Sequence, residues 1–162
     1  GGDEQYTPRK TVEMILPHIQ HFKDKVIWCP CDSEDSEFVK VLQANGFNVV
    51  FSHIDLGQDF FTYEPEHFDV ILTNPPYKNK RAFMERAESF GKPWCLLLPI
   101  NIISDAVLND LFGDMSELTI LVPRKRTRFF NKATGEVGKS PTFKACYIGR
   151  RFFAKQLIGV NE

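Results

Sequence analysis

Short runs of almost uninterrupted apolar residues alternate along this chain with segments whose apolar residues recur at helical spacing. A strand that is apolar throughout is buried on both faces, which is typical of a parallel sheet covered by helices on each side. The patterns predict strands over 26–29, 48–52, 68–73, 94–98, 118–122 and 143–148. They predict helices over 35–45, 80–90 and 106–112, and one that begins with Thr7 as N-cap and Pro8 as its first residue. We therefore expect an α/β fold that binds ligands beyond the carboxyl ends of its strands.

The composition is that of one soluble globular domain over residues 1–162, with 43% hydrophobic and 25% charged residues. No apolar run reaches the roughly 18 residues of a membrane span, and residues 1–4 are expected to be disordered or a tag remnant. Cys29 and Cys31 lack the spacing of a zinc site, and His18 and His21 lack a third ligand, so no metal is expected. The four cysteines are expected to be reduced thiols of a cytoplasmic protein.

The third predicted strand ends at Asn74-Pro75-Pro76-Tyr77. The two prolines fix their φ angles and lack backbone donors, so the segment keeps one shape. The Asn74 side-chain oxygen and the Pro75 carbonyl can then accept, and two acceptors suit an amino group with two donors. Such positioning points the nitrogen lone pair toward an electrophile, and Tyr77 adds a flat face for stacking. The pattern indicates a site for an amino nitrogen, with an ordinary turn that contains two prolines as the alternative.

Cations and aromatic residues alternate in Arg124-Lys125-Arg126-Thr127-Arg128-Phe129-Phe130. Cations neutralise phosphates and aromatic rings stack on bases, which is how proteins hold nucleic acids. Residues 118–162 carry 10 basic and 2 acidic side chains, a net +8, whereas residues 1–80 carry 7 basic and 13 acidic ones, a net −6. The predicted nucleic-acid contacts are Arg124, Arg126, Arg128, Phe129 and Phe130. A solvated basic face, and a strand with its phenylalanines in the core, are the alternatives.

Polar and acidic residues follow the first two predicted strands. The carboxylates at and after Asp32 would repel a pyrophosphate but suit a cationic ligand. His53 follows the second strand, where its ring could donate to or accept from the hydroxyl groups of a ligand. Without any ligand, helix capping by Ser33 with acidic neighbours explains the first group, and a solvent-facing loop explains His53.

These motifs resemble, in their order, those of phage-type DNA N-6-adenine methyltransferases of the Dam class. Asn74-Pro75-Pro76-Tyr77 is similar to the catalytic motif of methyltransferases that act on adenine N6, on RNA bases or on glutamine in release factors. Tyr6-Thr7-Pro8 resembles the family's N-terminal cofactor motif, and Asp59-Phe60 resembles the acidic-aromatic pair that accepts from the cofactor's adenine. The segment from Arg126 to Ile148 resembles the family's C-terminal part, so the resemblance covers about residues 5–150.

The resemblance implies a Rossmann-like methyltransferase sheet, mostly parallel with an antiparallel last strand. It implies methyl transfer from S-adenosylmethionine to adenine N6 in DNA, with the base flipped out of the duplex. Relatives that read a DNA sequence usually carry a separate target-recognition segment, and we expect none here because no stretch of this chain is free to be one. The catalytic residues would be Asn74, Pro75, Pro76 and Tyr77, and the cofactor-binding residues would be Tyr6, Thr7, Cys29, Asp32, His53, Asp59 and Phe60. Phe129 or Phe130 would pack against the flipped base.

One loop departs from the family pattern. The family's Asp-x-Phe-x-Gly-x-Gly is replaced by Cys29-Pro30-Cys31-Asp32-Ser33-Glu34-Asp35, so both glycines are absent and Asp32 would supply the acid. Glycines let the backbone approach a ligand closely, so the loop puts tight cofactor binding in question. Three functions stay open: DNA adenine methylation, methylation of an RNA base or a protein glutamine, and an inactive module that binds nucleic acid or a partner.

Overall fold

The computed structural model of the protein describes residues 5–113, 115–126, 130–131 and 144–162. Its strands are β1 (Gln5–Tyr6), β2 (Val26–Cys29), β3 (Asn48–Phe51), β4 (Val70–Thr73), β5 (Trp94–Pro99), β6 (Leu118–Pro123), β7 (Phe130–Asn131), β8 (Ala145–Arg150) and β9 (Leu157–Val160). Its α-helices are α1 (Arg9–Glu13), α2 (Glu37–Ala44), α3 (Lys80–Ser89) and α4 (Ala106–Phe112). Short 3-10 turns lie at Leu16–His18, Gln20–Phe22, Ile54–Leu56, Tyr77–Asn79 and Ile100–Ser104.

Seven of these strands form the main sheet, in the order β3-β2-β4-β5-β8-β6-β9. The strands from β3 to β5 run parallel to one another, β8 runs antiparallel to both β5 and β6, and β9 is parallel to β6. The predicted α/β class and the mostly parallel sheet are confirmed, and the strand predicted over 143–148 is the antiparallel β8. It is the last of the predicted strands, and β9 follows it in the chain. The sequence patterns do not predict β9, because this edge strand is only partly buried and lacks a continuous apolar run.

Side chains of successive strand residues pack on opposite sides of the sheet. On one side, Ile27 of β2 and Leu97 of β5 join a buried cluster with residues of α1 and α2. On the other side, Trp28 and Leu96 join a second cluster with residues of α3 and α4. Every residue of β4 and β5 is buried. Burial on both faces of the sheet explains why the sequence of these strands is almost entirely apolar. Because helices cover both faces, a ligand can approach the sheet only at its edges.

The segment before α1 differs from its prediction. The N-cap of α1 is Pro8 rather than Thr7, and the helix begins at Arg9 without a side-chain cap. Thr7 is buried and directly follows β1, which pairs antiparallel with β7 so that Tyr6 lies opposite Phe130. The Thr7 hydroxyl does not cap the helix and instead accepts a hydrogen bond from the side chain of the residue that follows β4, as described below.

No helix in the described ranges is long and apolar enough to cross a membrane. The four cysteines are free thiols. Within the same ranges, no three His, Cys, Asp or Glu side chains are arranged to hold a metal ion.

Candidate active site at the carboxyl edge of the sheet

Asn74 lies immediately after β4, at the carboxyl edge of the sheet, and is half-buried. Its Nδ2 donates a hydrogen bond to Thr7 Oγ1 over 3.0 Å. Its Oδ1 is buried and accepts no hydrogen bond from any residue that the structure describes. Because buried polar atoms almost always have a partner, this oxygen is the atom of the site best prepared to accept from a ligand.

The next three residues carry the chain from β4 into α3. Pro75 is buried and Pro76 is exposed, and Pro76 is the N-cap of the turn Tyr77–Asn79. Tyr77 is half-buried against the core on the α3 and α4 side, with its hydroxyl buried. Burial raises the pKa of this hydroxyl well above its usual range, with a smaller contribution from Cys146. A ligand can therefore reach the ring of Tyr77 but not its hydroxyl.

A hydrogen-bonded cluster joins the end of β2 to the end of β4. Asp32 is buried, and its Oδ1 accepts from Ser36 Oγ at 2.6 Å while its Oδ2 accepts from Thr73 Oγ1 at 2.7 Å. Thr73 Oγ1 accepts in turn from the Cys31 N–H at 3.2 Å. Ser36 is the N-cap of α2, a role that the sequence patterns give to Ser33. These bonds hold the glycine-free loop in place without any ligand.

Opposing effects determine the pKa of Asp32. Burial raises it, whereas the hydrogen bonds from Ser36 and Thr73 and the charge of His53 lower it, and the result is about 6 against an ordinary value of 3.8. The carboxyl group therefore loses its proton only as the pH approaches neutrality. A cation bound beside Asp32 would favour the ionised form.

His53 lies at the end of β3, close enough to Asp32 for its charge to affect that carboxyl group. It is the N-cap of the turn Ile54–Leu56, and its Nδ1 accepts from the Asp55 N–H at 3.1 Å. The predicted contact of His53 with ligand hydroxyl groups would have to form while Nδ1 keeps this capping hydrogen bond.

Asp59 is half-buried, and its Oδ1 accepts from the Phe61 N–H at 2.9 Å. Burial raises the pKa of the Cys31 thiol, and the charges of Asp32 and Asp59 raise it further. Both carboxylates are therefore close enough to that thiol for their charges to act on it. Asp32, in the loop after β2, and Asp59, after the turn Ile54–Leu56, together form an acidic rim.

Two other predicted cofactor residues have their side chains in the core. Cys29 is fully buried within β2, in the cluster on the α1 and α2 side. Phe60 is 3% exposed, and its ring stacks on Phe83 with centroids 5.2 Å apart and contacts Trp28 at 5.4 Å. These aromatic neighbours cover the apolar surface of the ring, so the predicted roles of Cys29 and Phe60 would have to use their backbone atoms.

The N-terminal and C-terminal motifs come together at β1 and β7. Tyr6 pairs with Phe130 across these two strands, and the next residue, Thr7, binds Asn74. One short segment thus connects the predicted cofactor motif, the predicted catalytic motif and the predicted base-contacting segment.

The described part of the basic run lies at the end of β6. Arg124 and Arg126 are exposed, and the Arg124 carbonyl accepts from Lys144 Nζ at 3.2 Å. Arg128 and Phe129 lie outside the described residues, and their predicted roles stay predictions. Because β8 is antiparallel, its first residues lie at the same edge as the ends of β4 and β6, so these cations share an edge with Asn74.

The sequence reasoning missed Thr73 and Ser36, which bind Asp32, and it missed the partner of Thr7. A threonine directly before the Asn-Pro-Pro-Tyr motif and a serine four residues after an acid are local signals that would have found the first two. The bond from Asn74 to Thr7 spans 67 residues of sequence and leaves no local signal.

Comparisons with known proteins show what this architecture is similar to. No protein-family model matches the chain, and no curated protein matches it in sequence. The structure is similar to that of a dimethyladenosine transferase from Plasmodium falciparum, with a TM-score of 0.55 and 13% identity over 91% of this chain and 62% of that one. A protein from Vibrio vulnificus described as a modification subunit of a type I restriction enzyme matches with a TM-score of 0.45 and 14% identity, over all of this chain and 46% of that one.

The first comparison shows a shared fold, and it agrees with the methyltransferase-type sheet that the sequence predicts. The chain spans less than two thirds of the length of either protein.

Proposed function

We propose that this chain transfers a methyl group from S-adenosylmethionine to an exocyclic amino nitrogen, and that the substrate is adenine N6 in DNA with the base turned out of the duplex. The observation that carries the proposal is the Asn74 carboxamide. Its nitrogen is bound by Thr7 and its oxygen is buried without a partner among the described residues. An acceptor of this kind at the carboxyl end of a strand suits a ligand that brings an N–H donor.

The residues at the end of β2 fit a cationic cofactor. Asp32 and Asp59 are close enough to the Cys31 thiol for their charges to act on it, and a positive charge beside the buried Asp32 carboxyl group would favour its ionised form. S-adenosylmethionine carries a sulfonium and an ammonium group, and when bound it supplies the electrophilic methyl group. Asp32, Asp59 and His53 would hold it, together with the backbone of Tyr6 and Thr7 on the other side.

The chain's own contribution to the reaction is to orient the amino group. Asn74 Oδ1 and the Pro75 carbonyl would accept its two hydrogens, which turns the nitrogen lone pair away from both oxygens. The nitrogen forms the new bond to the methyl carbon as the carbon–sulfur bond breaks. A strong general base is unnecessary, because the nitrogen becomes acidic only once it carries the methyl group, and water can then take the proton. Tyr77 and the segment around Phe129 would stack on the ring.

Charge supports a nucleic-acid substrate and suggests its direction of approach. Lys80 and Arg81 at the start of α3 are neutralised by ion pairs to Asp105, at 3.9 Å, and to Glu85, at 3.2 Å. The cations at the end of β6 are exposed and belong to the basic C-terminal quarter of the chain. Phosphates would therefore contact the β6 side of the edge, with Arg124, Arg126 and Arg128 as the predicted ligands.

The dimethyladenosine transferase shares the fold, which is consistent with an adenine substrate in either DNA or RNA. An inactive binding module is the second candidate. It is favoured by one observation: both Asp32 oxygens already accept hydrogen bonds within the protein.

Two measurements test the proposal. Calorimetric titration with S-adenosylmethionine separates an enzyme from an inactive module, which would show no binding. Transfer of a radiolabelled methyl group to DNA, RNA and protein extracts then identifies the polymer. Label in DNA supports the proposal, label only in RNA or protein replaces the substrate, and binding without transfer to any polymer rejects the enzymatic function.

A further inference from the structure

We propose that Thr7 is a positioning residue that keeps the Asn74 carboxamide turned with its oxygen toward the substrate. The inference rests on the proposed function and assigns Thr7 a task other than the cofactor contact that the resemblance implies. Its basis is the single hydrogen bond from Asn74 Nδ2 to Thr7 Oγ1, which is 3.0 Å long.

A carboxamide has two ends of nearly equal shape and opposite hydrogen-bonding character. Rotation of the Asn74 side chain by half a turn would exchange Oδ1 and Nδ2, and would present two N–H donors to a substrate amino group that itself brings donors. The two prolines after Asn74 restrict the backbone but not this terminal side-chain rotation. The useful orientation therefore needs a separate partner for Nδ2.

Thr7 meets the requirements for that partner. It is 6% exposed, so water competes poorly for its hydroxyl, and it is held between β1 and the start of α1. With Nδ2 bound to Thr7, Oδ1 is the atom left over, and it has no partner in the ranges that the structure describes. The same bond explains why Thr7 leaves the capping of α1 to Pro8.

Thr11 provides a matched control one helical turn away. It is also a buried threonine, 1% exposed, and its Oγ1 makes no hydrogen bond to any described residue. Thr7→Val and Thr11→Val both replace a buried hydroxyl by a methyl group of similar size. Only the first of them removes the bond to Asn74.

The experiment compares Thr7→Val, Thr7→Ser and Thr11→Val with the wild type in steady-state methyl transfer to DNA and in calorimetric binding of S-adenosylmethionine. We expect Thr7→Val to lower kcat by about 10-fold, the change that the loss of one hydrogen bond typically causes. KM for DNA and the affinity for S-adenosylmethionine should stay within about 2-fold of the wild-type values. Thr7→Ser keeps the hydroxyl and should restore most of kcat, and Thr11→Val should leave kcat unchanged.

Nuclear magnetic resonance gives a readout that is independent of activity. The Asn74 side-chain amide signals are identified by their loss in Asn74→Ala, and their protons should exchange with solvent faster in Thr7→Val than in the wild type or in Thr11→Val. Unchanged exchange would mean that Thr7 does not hold the amide.

The possible failures can be told apart. A fall in cofactor affinity that matches the fall in kcat would make Thr7 a cofactor residue and overturn the positioning role. Wild-type kcat in Thr7→Val, with Asn74→Ala inactive, would overturn this inference alone. If the wild type transfers no methyl group to any substrate, the proposed function fails and the positioning role fails with it.

Discussion

The ends of β2 and β4 lie side by side in the sheet, yet they use their polar groups in opposite ways. At the end of β2, both oxygens of Asp32 accept hydrogen bonds from Ser36 and Thr73. At the end of β4, the Asn74 amide is held through its nitrogen, while its oxygen is buried and has no partner in the described part of the chain.

Asp32 therefore has a supporting role in the fold besides its proposed cofactor contact, whereas the Asn74 oxygen is left for the substrate of the proposed function. The loop after β2 lacks the glycines of the family that it resembles, and its internal hydrogen bonds keep it in shape in their place. The segment after β4 retains an acceptor that no described residue satisfies. We therefore expect changes at the end of β2 to affect stability and cofactor binding, and changes at the end of β4 to affect turnover.

Asn74→Ala should have the largest effect on turnover. We expect the rate of methyl transfer to fall by ~100-fold or more, with cofactor affinity within a few-fold, because in the proposed function the amide contacts the substrate and not the cofactor. Steady-state assays and calorimetry on the same preparation give both numbers. A variant as active as the wild type would remove the distinction between the two strand ends.

Asp32→Asn should change how stability depends on pH. The pKa of Asp32 in the folded protein is about 6 against an ordinary 3.8, so the ionised form is disfavoured by folding. A raised carboxyl pKa stabilises the fold below the unfolded value, and this stability is lost as the pH rises through the folded value. From about pH 4 to about pH 7 the wild type should lose about 2 kcal/mol relative to Asp32→Asn.

Denaturant unfolding of both proteins across this pH range measures the difference. A constant gap between the two would mean that Asp32 is not held in a buried site, and the supporting role of the end of β2 would then be lost.

Tyr77→Ala should slow methyl transfer more than Tyr77→Phe does. The Tyr77 hydroxyl is buried, so a base can use only the ring, and stacking on a base is worth ~1–3 kcal/mol. Rates of the two variants on the same DNA decide the matter. If Phe proves as damaging as Ala, the hydroxyl is the functional group and the stacking assignment is wrong.

Asp59→Ala tests the acidic rim on the cofactor side. Loss of a hydrogen bond to a charged group should weaken S-adenosylmethionine binding by roughly 1–3 kcal/mol. Asp59 also accepts from the Phe61 N–H at 2.9 Å, so thermal unfolding is measured alongside binding. Unchanged binding together with earlier melting would assign Asp59 to the same supporting role as Asp32.

The regular elements could be predicted because their signals are local. β4 and β5 are buried throughout and, except for Thr73 at the end of β4, consist of apolar residues; the predicted bounds of α3 and α4 agree with the structure to within one residue. The exposed edge strand β9 has no such signal, and the pairing of β1 with β7 joins segments far apart in the chain.

The candidate site likewise contains residues that have a local sequence signal and residues that have none. Asn74 and Asp32 stand out because each follows a predicted strand. The core positions of the Cys29 and Phe60 side chains could not be predicted, because a thiol at the end of a strand or an aromatic ring in a turn can bury its surface in the core as well as against a ligand. The partner of Thr7 could be found only from the fold, since it is 67 residues away.

The identity of the methylated atom tests the account most directly. DNA treated with the wild-type protein and labelled S-adenosylmethionine is digested to nucleosides, and the labelled nucleoside is identified by chromatography and mass spectrometry. The account predicts label on the exocyclic nitrogen of adenine, as N6-methyldeoxyadenosine, and its loss in Asn74→Ala. Label on a ring nitrogen or a ring carbon, or label that survives in Asn74→Ala, would contradict it.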